Sequence, residues 1–288
     1  MFKKIVYVFL TLLFATNLLA LDLPPNFVLQ GGQSKLSVGG DILWGVLSPQ
    51  ANFTTNPALN RARLYEENIC YARGIGNGML KDMYVEVETK IFQSRQETVS
   101  GTLVHAANKG FAMIAKSGGH FVHTNNFALG GWIQTGSPVM MNRSKFVNPV
   151  VDYVGGGLNA ITKFTSVIGM TNSVYVGSGL FMPRKRNPHA QGTTFFSLNF
   201  NSLTNGSQDF ILQAGGMVDY DLTSRIDASY QASTLADGRI KHMAFLTPFT
   251  IDIPLGTTWR LDGGYAIQWF GRSTRGSQFA TFNLSKIF

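Results

Sequence analysis

The stretch "RIDASYQAS", Arg225 to Ser233, sets polar Arg225, Asp227, Ser229, Gln231 and Ser233 against apolar Ile226, Ala228, Tyr230 and Ala232. Successive side chains of an extended strand point to opposite faces, so a period of two marks a sheet with one wet and one dry side. The same alternation recurs along the chain. In "SKLSVGGDILWGV", Leu36, Val38, Ile42, Trp44 and Val46 alternate with Lys35, Ser37, Gly39 and Asp41. In "DMYVEVETKIF", Met83, Val85, Val87 and Ile91 alternate with Asp82, Tyr84, Glu86, Glu88 and Lys90. "QDFILQAGGMVDY" sets Phe210, Leu212, Ala214, Val218 and Tyr220 against Asp209, Gln213, Gly215 and Asp219. "TWRLDGGYAIQWF" sets Trp259, Leu261, Tyr265, Ile267 and Trp269 against Arg260, Asp262, Gly264 and Gln268. No segment carries a long helical stripe, so the chain is expected to be all-β.

Turn chemistry separates these segments. "TNGS" (Thr204 to Ser207), "DLTS" (Asp221 to Ser224), "ADGR" (Ala236 to Arg239) and "IPLG" (Ile253 to Gly256) carry the Gly, Asn, Asp and Pro of tight turns. From Thr193 onward the pattern predicts an up-and-down meander of about six strands, with Arg225 to Ser233 among them. Residues 34 to 191 are less regular and predict about six more, with longer loops at 48 to 60 and around 106 to 126. About twelve antiparallel strands would suit a transmembrane barrel, where even numbers are the rule.

Alternation alone does not separate a lipid-facing barrel from a β-sandwich. Spacing does. Trp259 and Trp269 lie ten positions apart on one face. Ten residues rising about 3.3 Å each and tilted about 40° climb roughly 25 Å, the height between the aromatic girdles of a membrane barrel. Phe210 and Tyr220 repeat the interval, and Trp44 is a further girdle candidate. A secreted sandwich is the rival fold; it would place such aromatics centrally.

The chain closes on "QFATFNLSKIF", with Phe288 last and Leu284, Phe282 and Ala280 on the same face. This resembles the C-terminal strand of Gram-negative outer-membrane porin-like barrels, although Lys286 stands where that pattern has an apolar or aromatic residue. The resemblance implies that Phe288 serves as a signal to the barrel-assembly machinery and that lipid surrounds the barrel. "ITKFTSVIGMTNSVYVGSGLFMP", Ile161 to Pro183, is similar to a segment of porin-like siderophore-uptake receptors of intracellular bacteria. That second resemblance implies, as an alternative, uptake of a specific ligand such as a siderophore.

The first twenty residues bear on the compartment. Lys3 and Lys4, the apolar run "IVYVFLTLLFA" and the closing Ala20 read as a secretory signal peptide, too short to span a membrane. Residues 21 to 33 are expected to form an N-terminal periplasmic segment and residues 34 to 288 the barrel. Cys70 is the single cysteine, so no intramolecular disulfide framework supports the exported chain.

Glycine (31) and phenylalanine (22) are abundant and charged residues make up only 14%, below the quarter usual in soluble domains. The formal net charge is +8; without Lys3 and Lys4 the basic residues fall from 24 to 22 against 16 acidic, leaving +6. Charge this dilute argues against a nucleic-acid partner and for an anion-favouring lumen or contact with acidic headgroups. The candidate lumen-lining residues are Asp41, Glu86, Glu88, Lys90, Asp219, Arg225, Asp227, Arg260 and Asp262. "DLTS" predicts Asp219 and Arg225 to be paired across adjacent strands. "MPRKRNPH", Met182 to His189, is the densest basic cluster, and counting strands back from Phe288 puts it on the periplasmic side.

Candidate chemistry is sparse. The His-x-Ser-Asn-Gly motif of outer-membrane phospholipases has no counterpart, since Asn205-Gly206-Ser207 lacks the histidine. Asp82, Glu86 and Glu88 with His242 do not form an evident omptin-like protease set. His120 and His123 in "GGHFVHT" have no third ligand nearby in sequence, so no metal or other cofactor is expected. "GIGNG", Gly74 to Gly78, lacks the strand, helix and acid of a nucleotide fingerprint. The expected function is a porin-like outer-membrane channel, monomeric or a homo-oligomer, passing small hydrophilic solutes with a modest anion preference. An outer-membrane hydrolase is the enzymatic alternative.

Overall fold

The computed structural model describes residues 29, 31–47, 60–76, 81–97, 106–141, 152–165, 171–184, 188–200, 210–223, 225–226, 239–240, 243–272 and 275–288. The expected signal peptide, most of the segment 21 to 33, Asp227, His242 and the "TNGS" turn lie outside them. The strands are β1 Ser34–Leu47, β2 Asn60–Gly74, β3 Lys81–Glu97, β4 Ala106–His123, β5 Phe127–Met141, β6 Tyr153–Thr165 and β7 Thr171–Pro183. There follow β8 His189–Phe200, β9 Phe210–Asp221, β10 Arg225–Ile226, β11 Arg239–Ile240, β12 Met243–Pro254, β13 Trp259–Arg272 and β14 Arg275–Ile287. All but β10 and β11 form one closed antiparallel barrel, with each strand paired to its neighbours in chain order and β9 paired directly to β12. The fold is thus an all-β, twelve-stranded up-and-down barrel.

Closure is made by β14 on β1, in register from Lys35 opposite Ile287 to Leu47 opposite Arg275. The Phe288 and Ser34 backbones add reciprocal bonds, Ser34 N to Phe288 O at 3.2 Å and Phe288 N to Ser34 O at 2.8 Å. An open edge in lipid would leave backbone groups unpaired at several kcal/mol each. Gly39 permits the close approach: a Cβ there would overlap the Phe282 carbonyl and the Asn283 side chain. At the β12–β13 turn Gly256 adopts φ +95°, a conformation that the "IPLG" glycine supplies without a Cβ penalty.

The barrel is inverted relative to a water-soluble protein. Val38, Ile69, Ile133, Val154, Leu158, Val176 and Phe249 point outward and are exposed, while Glu66, Asp252 and Arg260 point inward and are buried. An apolar belt of that extent fits a bilayer. Trp259 and Trp269 stand at opposite ends of β13, both outward, with Arg260 and Gln268 inward. Two of the expected elements differ. Residues 106 to 123 are not a loop but β4, the longest strand. Its inward positions include Ala112 and Ile114, so the contrast between faces that marks a strand is lost there.

The opening stretch is the other difference. Arg225 and Ile226, the described part of "RIDASYQAS", pair with Ile240 and Arg239 in a separate two-stranded sheet, and β9 pairs directly with β12 with no strand between them. Removing that strand reverses the parity of everything before it. The chain around Arg184, in "MPRKRNPH", therefore lies at the rim opposite the one where β1 begins and β14 ends. Asp219 faces Gln191 and Ala244 in register while Arg225 belongs to the separate sheet, so the two do not stand on adjacent barrel strands as expected; the Arg225 side chain is not among those described.

Candidate functional site on the inner wall

Strand phase decides which side chains face the interior. On β1, β2 and β3 the inward positions gather Asp41, Glu66, Glu88 and Lys90. Lys90 Nζ lies 3.2 Å from Glu88 Oε1 and 3.6 Å from Glu66 Oε2. Asp41 stands directly across from Glu66. Buried charge is tolerated only with a counter-charge close by, and one ammonium here serves several carboxylates. Glu86 lies across from Lys116 on β4, continuing the pattern.

A second cluster sits at the rim that carries the chain ends of the barrel, the terminal rim. Arg260 Nε donates to Asp252 Oδ1 at 2.8 Å and Oδ2 at 3.1 Å, and Nη2 reaches Oδ1 at 2.7 Å. The fork geometry of guanidinium suits a carboxylate held this way. Asp262 is Asp252's register partner, and Lys35 Nζ lies 3.9 Å from Asp262 Oδ2. Two acids and two bases therefore bracket this part of the wall.

Between the charged clusters the wall mixes polar, aromatic and aliphatic groups, fully buried Met217 and Leu246 among them. Gln213 donates to Ser197 Oγ at 2.8 Å and accepts from Thr250 Oγ1 at 2.8 Å, linking β8, β9 and β12. Toward the opposite rim Phe181 stacks on His189 at 5.0 Å and packs against Trp132 at 5.5 Å. Gln134 Nε2 donates to Tyr153 OH beside them, and Lys116 Nζ lies 5.4 Å above the Trp132 ring. Gly179 leaves room for that indole, since a Cβ would stand 2.8 Å from Trp132 Cζ2. Bulky aromatics on an inner wall narrow the interior locally.

Of the expected lumen residues, Asp41, Glu86, Glu88, Lys90, Asp219, Arg260 and Asp262 occupy inward positions. Arg225 belongs to β10, outside the barrel sheet, and Asp227 lies outside the described residues. Of the girdle candidates, Tyr220, Trp259 and Trp269 point outward. Phe210 packs on Phe200 at the start of β9, and the Trp44 side chain is not among those described. Sequence reasoning missed Glu66, Lys116, Asp252 and the aromatic patch. Glu66 was hidden by outward Glu67, which breaks the alternation of β2, whereas Asp252 was readable between Ile251 and Ile253. The fold also brings the carboxylate of Asp82 to His120 and His123, a third ligand that the sequence did not reveal.

No protein-family model matches the chain, and no curated protein sequence does either. Solved structures do resemble it. An outer-membrane channel from Pseudomonas putida F1 superposes with a TM-score of 0.64 at 9% identity, over 93% of this chain and 100% of that one. The translocator domain of the autotransporter NalP from Neisseria meningitidis gives 0.50 at 13% identity, over 92% and 90%. The β-domain of the Bordetella autotransporter BrkA gives 0.51 at 11%, over 88% and 98%. At such identities the likeness is one of fold: a bacterial outer-membrane β-barrel.

Proposed function

We propose that the protein is a channel of the bacterial outer membrane for passive diffusion of small hydrophilic solutes. The observation that carries this reading is the inversion of the closed barrel, apolar outside, with charged and hydrogen-bonded groups held inside among apolar ones. Closure satisfies the backbone groups in the hydrocarbon layer, and the inward charged and amide side chains give the inner face its polarity. The terminal rim then faces the periplasm, and the rim at Pro183 and Arg184 faces the outside. Phe288 is read in this account by the barrel-assembly machinery, and membrane lipid covers the belt.

Selectivity would follow the wall charges. Inward Asp41, Glu66, Asp82, Glu86, Glu88, Asp219, Asp221, Asp252 and Asp262 outnumber inward Lys35, Lys90, Lys116, Lys163 and Arg260 among the residues whose side chains are described. That excess favours cations, opposite to the anion preference expected from the whole-chain charge. Transport of this kind needs no chemical step, and none is assigned. Liposome swelling with sugars of graded size tests the reading. Uptake that falls with solute size supports diffusion through a pore, whereas sugar-impermeable vesicles carrying folded barrel would overturn it.

A further inference from the structure

We propose that Asp82, His120 and His123 form a divalent transition-metal site, of the zinc class, on the inner wall at the terminal rim. The three donors belong to β3 and β4 and lie within 4.8 Å of one another. His120 Nδ1 is 3.3 Å and His123 Nδ1 2.7 Å from Asp82 Oδ2.

Two histidines three apart on a regular strand face opposite sides. Here the β4–β5 register shifts between His120 and Val122, so that His120 opposes Gly130 and His123 opposes Ala128. Both partners are buried inward positions, and cross-strand partners share a face; both imidazoles are therefore turned to the interior. Phe121 takes up the extra position and is half exposed on the outside. A second register shift falls directly alongside, between Lys81 and Tyr84 on β3. Within it Asp82 adopts φ +59°, an uncommon conformation for a residue with a Cβ, although Asp tolerates it better than most. Bulges re-aim side chains beside functional sites, and two of them converge on this point. Gly130 completes the pocket, because a Cβ there would stand 2.7 Å from His120 Cδ2.

The geometry suits a small ion. Bonds of about 2.0–2.1 Å in a tetrahedral site set donors about 3.3 Å apart. The His120–Asp82 separation already has that value, and the His123–Asp82 contact must open by about 0.6 Å, which bond lengths of this class require. Two imidazoles and one carboxylate select zinc, cobalt, nickel or copper over calcium and magnesium, which take all-oxygen shells. The side chains of His120, Asp82 and His123 are 9%, 18% and 35% exposed, so the site is walled on one side and open on the other. Three protein ligands leave a fourth position toward water, the arrangement of an exchangeable rather than a sealed structural site. A bound ion would also cross-link β3 to β4 where both are bulged. Lys163 stands near enough to His120 to oppose the added charge, and the carboxylate of Asp82 offsets it.

The test uses the full chain without a histidine tag, folded in detergent, stripped with chelator and titrated with cobalt(II) alone. The expected result is one saturable equivalent, seen as visible d–d absorption that zinc(II) displaces. His123→Gln and Asp82→Asn should each weaken binding by at least about tenfold, and His120→Gln/His123→Gln should abolish it. Heat-modifiable gel mobility verifies folding, and His123→Gln, the most exposed substitution, decides the matter if Asp82→Asn does not fold. Absence of saturable cobalt absorption, or affinity unchanged in folded His123→Gln, would overturn the proposal and leave a hydrogen-bonded His–Asp–His cluster. Neither result bears on conduction, so the channel reading stands or falls separately.

Discussion

Replacing Arg260 with methionine removes the cation that holds Asp252 while keeping most of the side-chain volume. The pair is made of three close contacts at 2.7 to 3.1 Å, and both side chains are 1% exposed. In Arg260→Met the Asp252 carboxylate would remain buried, with Asp262 its register neighbour. Leaving one member of a buried ion pair uncompensated costs about 3–5 kcal/mol, whereas replacing both by apolar groups is close to neutral. Arg260→Met should therefore destabilise the barrel by about 3 kcal/mol or more, and Arg260→Met/Asp252→Leu should recover most of that loss. The double-mutant cycle is measured by reversible urea unfolding from lipid vesicles, followed by tryptophan fluorescence. A single variant within about 0.5 kcal/mol of the parent would refute the reasoning, because it would mean that lumen water screens the pair as it does a surface one.

Three further outcomes follow from the same structure. Ile133 is 67% exposed in the middle of β5, so Ile133→Arg should cost about 2–4 kcal/mol in vesicle-folded protein and far less in a soluble rival fold. Gly39→Val should hinder the β1–β14 closure, because its Cβ collides with β14 backbone; slower folding and loss of heat-modifiable mobility would reveal it. Phe181 anchors the aromatic patch on the inner wall, and Phe181→Ala should widen the path and enlarge single-channel steps. Unchanged steps would place the narrowest point elsewhere.

Much of the architecture could be read from alternation because a membrane barrel forces contrast between its faces. β3 and β13 show that contrast cleanly, and their inward and outward residues follow it. Where the inner wall turns apolar, as at Ala112 and Ile114 of β4, the contrast vanishes and the sequence pattern predicts a loop. "RIDASYQAS" is the converse: its alternation predicts a barrel strand, yet β9 pairs directly with β12 and the described Arg225 and Ile226 belong to a separate sheet. Those two differences offset each other, so the strand number agreed while the sidedness of the Arg184 region did not. The inner ion pairs were legible as residue types but not as partners. Lys90 meets Glu66 and Arg260 meets Asp252 through register, which depends on loops and bulges rather than on local pattern. The Asp82–His120–His123 cluster was hidden for the same reason, since bulges reset the phase on which the sequence reading relied.

The measurement that bears most directly on the channel is single-channel recording in planar bilayers with a salt gradient. The folded barrel should give discrete, ohmic steps and a reversal potential displaced toward the cation's equilibrium value, as the excess of inward carboxylates requires. Silent bilayers after verified insertion of folded protein would contradict a conducting lumen. A reversal potential on the anion side would contradict the assignment of selectivity to those carboxylates.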